Sequence, residues 1–554
     1  MPIALIAFVG LGCFAAGYAL YARFLERAVG IDDRRVTPAC ELEDGHDFVP
    51  TRAAILVPQH LAAISAAGPI VGPIMACLWF GWAPVLAWIV LGNIFLGAPH
   101  DFQALFASVR HRARSMAQVI RDNVSPRGQV LFLLFIWFSL NYVTIAFTDL
   151  TASTFSDLHG EGTGPGVASS SVMYLVLAVI LGVCLKREMP LWLAGAIFLP
   201  ILAVVIWAGP HLPMTPPAFV GDPGRFWGLA ILAYCYLASV LPLWLLLQPR
   251  GFLGGWFLYG ALGIGVLGIV AGGFRVQYPA FVGWSHAVKG HVEPLVPIFF
   301  ITVACGACSG FHGMVCGGTT SRQIARESDI RPVAYGGMLL EGVVALISLA
   351  TVMMLAKSDP LLAGAPNPDT IYATGLARFA GALAGIDPKV ALSFGLLAFA
   401  TFIFDTLDVG TRLGRYIFQE LTGMEGNSGM HAATLATLAL PAYAIVTMPG
   451  GAWKTFWPLF GASNQLVAAL SLLGIGTWLY RSGRNYWIAL LPMGFLLTMT
   501  VWSLGLQAWW AVTAPEPSYV LGGLAAILIL LALAIVGETV QVVRRPEAAL
   551  PETA

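Results

Sequence analysis

Residues 58 to 73 read Pro58-Gln59-His60-Leu61-Ala62-Ala63-Ile64-Ser65-Ala66-Ala67-Gly68-Pro69-Ile70-Val71-Gly72-Pro73. The stretch lies inside an apolar run over 53–80. It carries a histidine, two Gly-Pro steps and a face of small residues. In hydrocarbon nothing but protein can hydrogen-bond a freed backbone group, so a lipid-facing helix cannot break itself. The run therefore reads as a membrane span broken at mid-depth that lines a cavity or a ligand. Secondary transporters place substrate and ions at such breaks.

The rest of the chain fits a membrane setting. It has 554 residues, 58% hydrophobic and 10% charged, where a soluble domain carries about 25% charged residues. Mean hydropathy is +0.79. The 29 basic and 29 acidic residues cancel, which argues against a nucleic-acid partner. Most of the eight cysteines sit in apolar runs and read as small core residues, not a disulfide framework. The first apolar run, from Ile3 to Leu20, lacks a basic leader and reads as a retained span, not a signal peptide.

A span needs roughly 20 apolar residues. That rule predicts an all-α polytopic membrane protein with about fifteen transmembrane helices, near 3–23, 53–80 (broken), 83–108, 128–152, 170–186, 189–209, 226–248, 251–273, 295–317 (broken at its end), 335–356, 388–412, 431–449, 455–480, 486–510 and 518–541. With the N-terminus outside, 22 of the 29 Lys and Arg residues fall in inner loops, Arg250, Arg412 and Arg415 among them. The positive-inside rule then predicts N-out, C-in topology. The chain reads as one transporter domain over 1–554. Residues 1–380 form a core with both broken helices, and 381–554 a C-terminal five-helix part. Residues 110–127 read as an inner amphipathic helix, and 151–170 and 357–387 as outer loops.

A second break reads Cys305-Gly306-Ala307-Cys308-Ser309-Gly310-Phe311-His312-Gly313-Met314-Val315-Cys316-Gly317-Gly318-Thr319-Thr320. It lies seven spans after the first, so the two run in opposite directions, as an inverted repeat requires. Cys305, Cys308, His312 and Cys316 fall at helical steps on one predicted face. A straight helix cannot close all four around one ion, so packing cysteines are the favoured reading over a metal site.

Ionisable groups inside a membrane are functional by default. His60 and His312, at the breaks, are candidates for substrate and proton contact, with unperturbed pKa values of about 6.5. Asp408 and Arg412 stand one helical turn apart and read as a pair. Asp405 is left for a proton or for Na⁺. Glu341, in the tenth span, is a further acid. Asp101, with His100, falls at a span end, where water would meet it. Asn464 and Gln465 follow a third small-residue stretch, Gly461-Ala462-Ser463. Freed N–H groups near Ser65 and Gly68 suit a carboxylate. The candidate substrate set is thus His60, Ser65, Gly68, Ser309, Gly310, His312, Asn464 and Gln465. The candidate ion-coupling set is His60, Asp405, His312, Asp408 and Glu341. The sequence has neither a phosphate-cradling Gly-x-x-x-x-Gly-Lys-Ser/Thr motif nor a His-Glu-x-x-His zinc motif, and no cofactor is called for.

Four blocks resemble the carbon starvation protein A (CstA) family: Pro58 to Pro73; Cys305-Gly306 through Ser309-Gly310-Phe311-His312 to Gly318-Thr319-Thr320; Asp405-Thr406-Leu407-Asp408-Val409-Gly410-Thr411-Arg412; and Trp457-Pro458-Leu459-Phe460-Gly461-Ala462-Ser463-Asn464-Gln465. The resemblance runs in order along nearly the whole chain. Gln59 stands where the family signature has the first of two histidines. The resemblance implies a bacterial inner-membrane transporter of peptides or pyruvate used in carbon starvation, run on the proton gradient. It also implies an inverted-repeat fold like that of the amino acid/polyamine/organocation superfamily, whose usual repeat would offset the breaks by five spans. The predicted partners are a peptide or small carboxylate, H⁺ or Na⁺, and the lipid bilayer. The competing reading is a nutrient-responsive channel or sensor. An enzyme would need a convergent nucleophile and base, which the motifs do not supply.

Overall fold

The computed structural model describes residues 1–44, 48–156, 163–217, 221–288, 291–363, 367–451, 453–514 and 517–544. The first half of the chain forms α1 (Ile3–Ala16), α2 (Ala22–Val29), α3 (Pro38–Glu41), α4 (Ala53–Ile64), α5 (Gly68–Phe80), α6 (Trp82–Gly92), α7 (Ala98–Arg110), α8 (Met116–Asn123), α9 (Pro126–Phe155), α10 (Gly164–Lys186), α11 (Leu191–Ala208), α12 (Pro223–Val240) and α13 (Leu247–Ala271). A hairpin of β1 (Ser285–Val288) and β2 (His291–Pro294) follows, antiparallel, with His286 opposite Glu293. Then come α14 (Leu295–Thr302), α15 (Gly310–Gly318), α16 (Gly336–Met353), α17 (Pro368–Ala384), α18 (Pro388–Thr422), α19 (Gly426–Thr447), α20 (Trp453–Arg481), α21 (Trp487–Thr513) and α22 (Tyr519–Arg544).

Among the described residues twelve helical runs are long and apolar enough to cross a membrane, or thirteen with the bent pair α4–α5 as one span. The count of about fifteen also included α12 and the α14–α15 pair. Neither meets that standard: α12 is just long enough at 18 residues but not apolar enough, with Arg225 in its first turn and two tyrosines inside, and α14 and α15 have only 8 and 9 residues.

Helix ends are fixed by local chemistry. At α9, Ser125 Oγ accepts from Gly128 N at 2.9 Å and Pro126 fills the first position, which has no use for an N–H. At α18, Asp387 accepts from Lys389 N (2.8 Å) and Val390 N (3.3 Å), and Gly423 stops the helix with φ +69°.

Backbone contacts sort the ends onto two faces. On one, Ile3 N donates to Phe274 O (2.9 Å), Gln277 N to Met353 O (2.8 Å) and Ala83 N to Ala280 O (2.9 Å). The other is rich in arginine. There Arg110 pairs with Glu327 (2.6 Å) and Arg331 with Glu26 (2.7 Å), and Ser125 Oγ donates to Glu538 (3.1 Å). The most buried spans are α20, wholly buried through its most apolar window, and then α16, α18 and α9. The ends of the chain, α1 and α22, lie at the rim.

Several loop expectations are corrected. Of 151–170, residues 157–162 lie outside the described set. The flanks are buried helix, in which Thr151 Oγ1 returns to Phe147 O at 2.8 Å and so hides its polarity from lipid. Within 357–387, α17 packs against α18, with Gly395 closing on Ala373. Arg250, Arg412 and Arg415 are buried in the bundle, not in loops. The third loosened turn does not occur: α20 runs unbroken through Gly461-Ala462-Ser463.

Candidate functional site

The first break separates α4 from α5, which are bent by 53°. Ser65 caps α4 and residues 65–67 are not helical. The second break runs over residues 303–309, between α14 and α15. The two breaks touch. A β-carbon on Gly68 would lie 2.4 Å from Cys305 Sγ, and one on Gly72 would lie 2.5 Å from Thr302 O. A β-carbon on Gly306 would lie 3.5 Å from Pro69 Cα. Only glycine permits backbones this close.

Asn464, from α20, satisfies the second break. Its Oδ1 accepts from Phe311 N (3.0 Å), and its Nδ2 donates to Ser309 Oγ (3.0 Å) and reaches Cys305 Sγ (3.3 Å). It serves as the N-cap that Ser309 does not supply from its own side chain. Gly310 is packed so tightly on α20 that a β-carbon there would meet Asn464 O at 2.3 Å. Gln465 Nε2 donates to Phe300 O (2.9 Å), at the end of α14. Asn93, at a π turn over Asn93–Gly97, donates to Gly306 O (3.2 Å). Such turns often mark functional positions.

One turn into α15, His312 stands between two carboxylates. Its Nδ1 is 2.8 Å from Asp101 Oδ2 and its Nε2 is 3.1 Å from Glu341 Oε2. The freed carbonyl of Ile64, from the other break, also faces His312. Asp101 holds His100 Nδ1 at 2.8 Å through its second oxygen. All four side chains are almost entirely buried. Neither Glu341 oxygen has a hydrogen bond of good geometry, and His100 Nε2 has none. His60 Nδ1 meets Thr320 Oγ1 at 2.9 Å, leaving Nε2 unpartnered, as is Ser65 Oγ.

Sequence similarity identifies the family. The profile of the family described as "Carbon starvation protein CstA" matches residues 3–367 and 358–503. The chain belongs to that family. It is 32% identical to "Peptide transporter CstA" of Helicobacter pylori (strain J99 / ATCC 700824), over 88% of this chain and 80% of that one. It is 31% identical to "Peptide transporter CstA" of Mycobacterium tuberculosis (strain ATCC 25618 / H37Rv), over 92% and 75%. It is 28% identical to "Pyruvate/proton symporter BtsT" of Escherichia coli (strain K12), over 91% and 81%.

In this CstA-family chain the candidate residues fall into two groups. His60, Ser65, Gly68, Ser309, Gly310, His312, Glu341, Asn464 and Gln465 gather at or beside the joined breaks. Asp405 and Asp408 lie on α18 and do not join them. The Asp408–Arg412 pair does not form. Arg412 Nη2 donates instead to Leu241 O (2.7 Å) and Ala238 O, at the end of α12. Both aspartates bind Arg250 of α13. Asp101 meets protein and not water, because α6, the π turn and α7 carry it into the bundle.

The shared helical face expected for Cys305, Cys308, His312 and Cys316 is lost, because the first two lie in the non-helical break. Among the described residues no three His, Cys, Asp or Glu side chains are arranged to hold a metal ion. The N–H donors expected near Gly68 are largely used: Ile70 N and Val71 N both return to Ala67 O, and Pro69 has none.

Proposed function

We propose that this chain is a secondary active uptake transporter of short peptides or pyruvate-like carboxylates, driven by inward proton movement. His312, with Asp101 and Glu341, forms its proton site. The observation that carries this reading is Glu341. It is a fully buried carboxyl with no well-formed hydrogen bond, 3.1 Å from an imidazole held on its other side by a second carboxylate. With His312 protonated and both acids ionised, the trio has one negative charge too many. Burying such a charge is costly, and one added proton removes it. Because His312 sits where the two breaks meet, its charge state can bias any motion of one break against the other.

Substrate polar groups are assigned to the unpartnered buried atoms beside that trio, Ser65 Oγ and His60 Nε2. Asn464 and Gln465 shape the second break and hold it open to exchange. Residues 1–380 carry both breaks, and 381–554 supplies the helix that caps the second. The arginine-rich face is placed in the cytoplasm of a bacterial inner membrane, with the N-terminus outside. The names of the peptide and pyruvate transporters among the relatives support the substrate class.

Purified protein in proteoliposomes tests this. Labelled pyruvate and labelled dipeptides are offered under an inward proton gradient, an inward sodium gradient, or neither. One class should accumulate saturably with the proton gradient and leak out when a protonophore is added. Accumulation that follows sodium alone, or no gradient at all, overturns proton coupling.

A further inference from the structure

A second charged cluster lies apart from the breaks, among α10, α12, α13 and α18. Arg250 is 1% exposed. Its Nε lies 3.0 Å from Asp405 Oδ1, and its Nη1 contacts Asp408 Oδ2. Tyr234 donates to the same Asp408 oxygen at 2.7 Å, and Tyr174 donates to Arg250 O at 2.7 Å. One guanidinium thus answers two carboxylates. The second oxygen of Asp408, Oδ1, is buried with no partner, as are the hydroxyls of Thr401 and Thr411. Asp405 is the accessible member, its side chain 19% exposed. Gly254 makes room for it: a β-carbon there would lie 2.8 Å from Asp405 Oδ2 and 3.5 Å from Thr401 Cγ2.

We infer that Asp405 and Asp408 bind one proton between them around Arg250, forming a proton site separate from His312. The charges within the hydrogen-bonded cluster favour it. Arg250 supplies one positive charge, and the two ionised aspartates supply two negative ones. A proton on either carboxyl turns COO⁻ into COOH and brings the cluster from −1 to zero. It also gives an O–H donor to a site whose bare oxygen has none, and a bare buried acceptor is expensive.

Arg412, one turn from Asp408, keeps its positive charge but gives its hydrogen bonds to the carbonyls that end α12, and makes no ion pair with either aspartate. Cys235 and Tyr234 of α12 and Tyr174 of α10 are neutral donors. The remaining helices on α18 hold their ionisable groups elsewhere: Asp149 of α9 accepts from Trp453 N, Asp369 of α17 from Thr154, Arg378 of α17 faces Asp359, and His431 of α19 binds Tyr236. Asp405 gives the proton a way in, and Asp408 a buried place to stay.

This site is tested without transport, so it stands or falls apart from the function proposed above. Infrared difference spectra of the purified protein in lipid are recorded as pH is stepped. Wild type should show a protonated-carboxyl stretch that appears as pH falls. Asp405→Asn and Asp408→Asn should each lose it, while His312→Gln combined with Glu341→Gln should keep it. If Asp408→Asn is not recovered from membranes, the more exposed Asp405→Asn decides alone. A band that survives Asp405→Asn, or one that answers to sodium at fixed pH instead of to pH, overturns the inference.

Discussion

Gly68 and Cys305 close the gap between the two broken helices: a β-carbon on Gly68 would stand 2.5 Å from Cys305 Cβ. The contact joins the breaks directly and leaves no room for a side chain between them. Gly68→Ala should therefore cost about 1–3 kcal/mol, the usual range for overpacking, and should stop uptake. Adding Cys305→Gly should restore much of both. The check is a double-mutant comparison of thermal midpoint and uptake, and equal damage in single and double variants would show that the contact is not the cause.

Asn464 is the cap of α15, and its loss leaves Phe311 N without an acceptor inside the protein. Asn464→Ala should destabilise by about 1–3 kcal/mol, the cost of unmade buried hydrogen bonds. Ser309→Ala removes only one of its partners and should cost less. Thermal unfolding in detergent gives the order, and Ser309→Ala equal to or worse than Asn464→Ala would contradict the cap.

The sequence displayed the breaks plainly because a glycine-proline step inside an apolar run has few other uses. Their company was less legible. His312 finds Asp101 across 211 residues of chain, and no local pattern marks that meeting. Asp101 looked solvated because it was placed at a span end, whereas it lies in the first turn of α7, buried throughout by its neighbours. Arg250 looked like a loop charge because Gln248-Pro249-Arg250 interrupts the apolar run. In fact Pro249 lies in the first turn of α13, where its missing N–H is harmless. The pairing of Asp408 with Arg412 failed because helical spacing permits a contact without excluding a stronger rival, and Arg250 is that rival.

Outside the spans, the β1–β2 hairpin leads into α14 and rests on α5, with the His286 ring 4.3 Å from that of Trp79. Burial pushes His286 down to about 4, with His291 adding to the effect. A depressed histidine resists protonation when folded, so it contributes stability above its unfolded value near 6.5, lost as pH falls towards 4. His286→Phe keeps the stacking and removes the titration. The wild-type thermal midpoint should fall relative to that variant between about pH 6.5 and 4. Parallel curves would show that His286 does not titrate in this window.

Uptake by His312→Gln in proteoliposomes tests the central claim most directly. Glutamine keeps a polar side chain between Asp101 and Glu341 but cannot carry the proton. With an alkaline interior the wild type should concentrate its substrate. His312→Gln should exchange labelled for unlabelled substrate across the membrane yet fail to accumulate it, a loss of at least tenfold if the proton supplies about 1.4 kcal/mol or more of driving force. Accumulation by His312→Gln at the wild-type level would contradict the account.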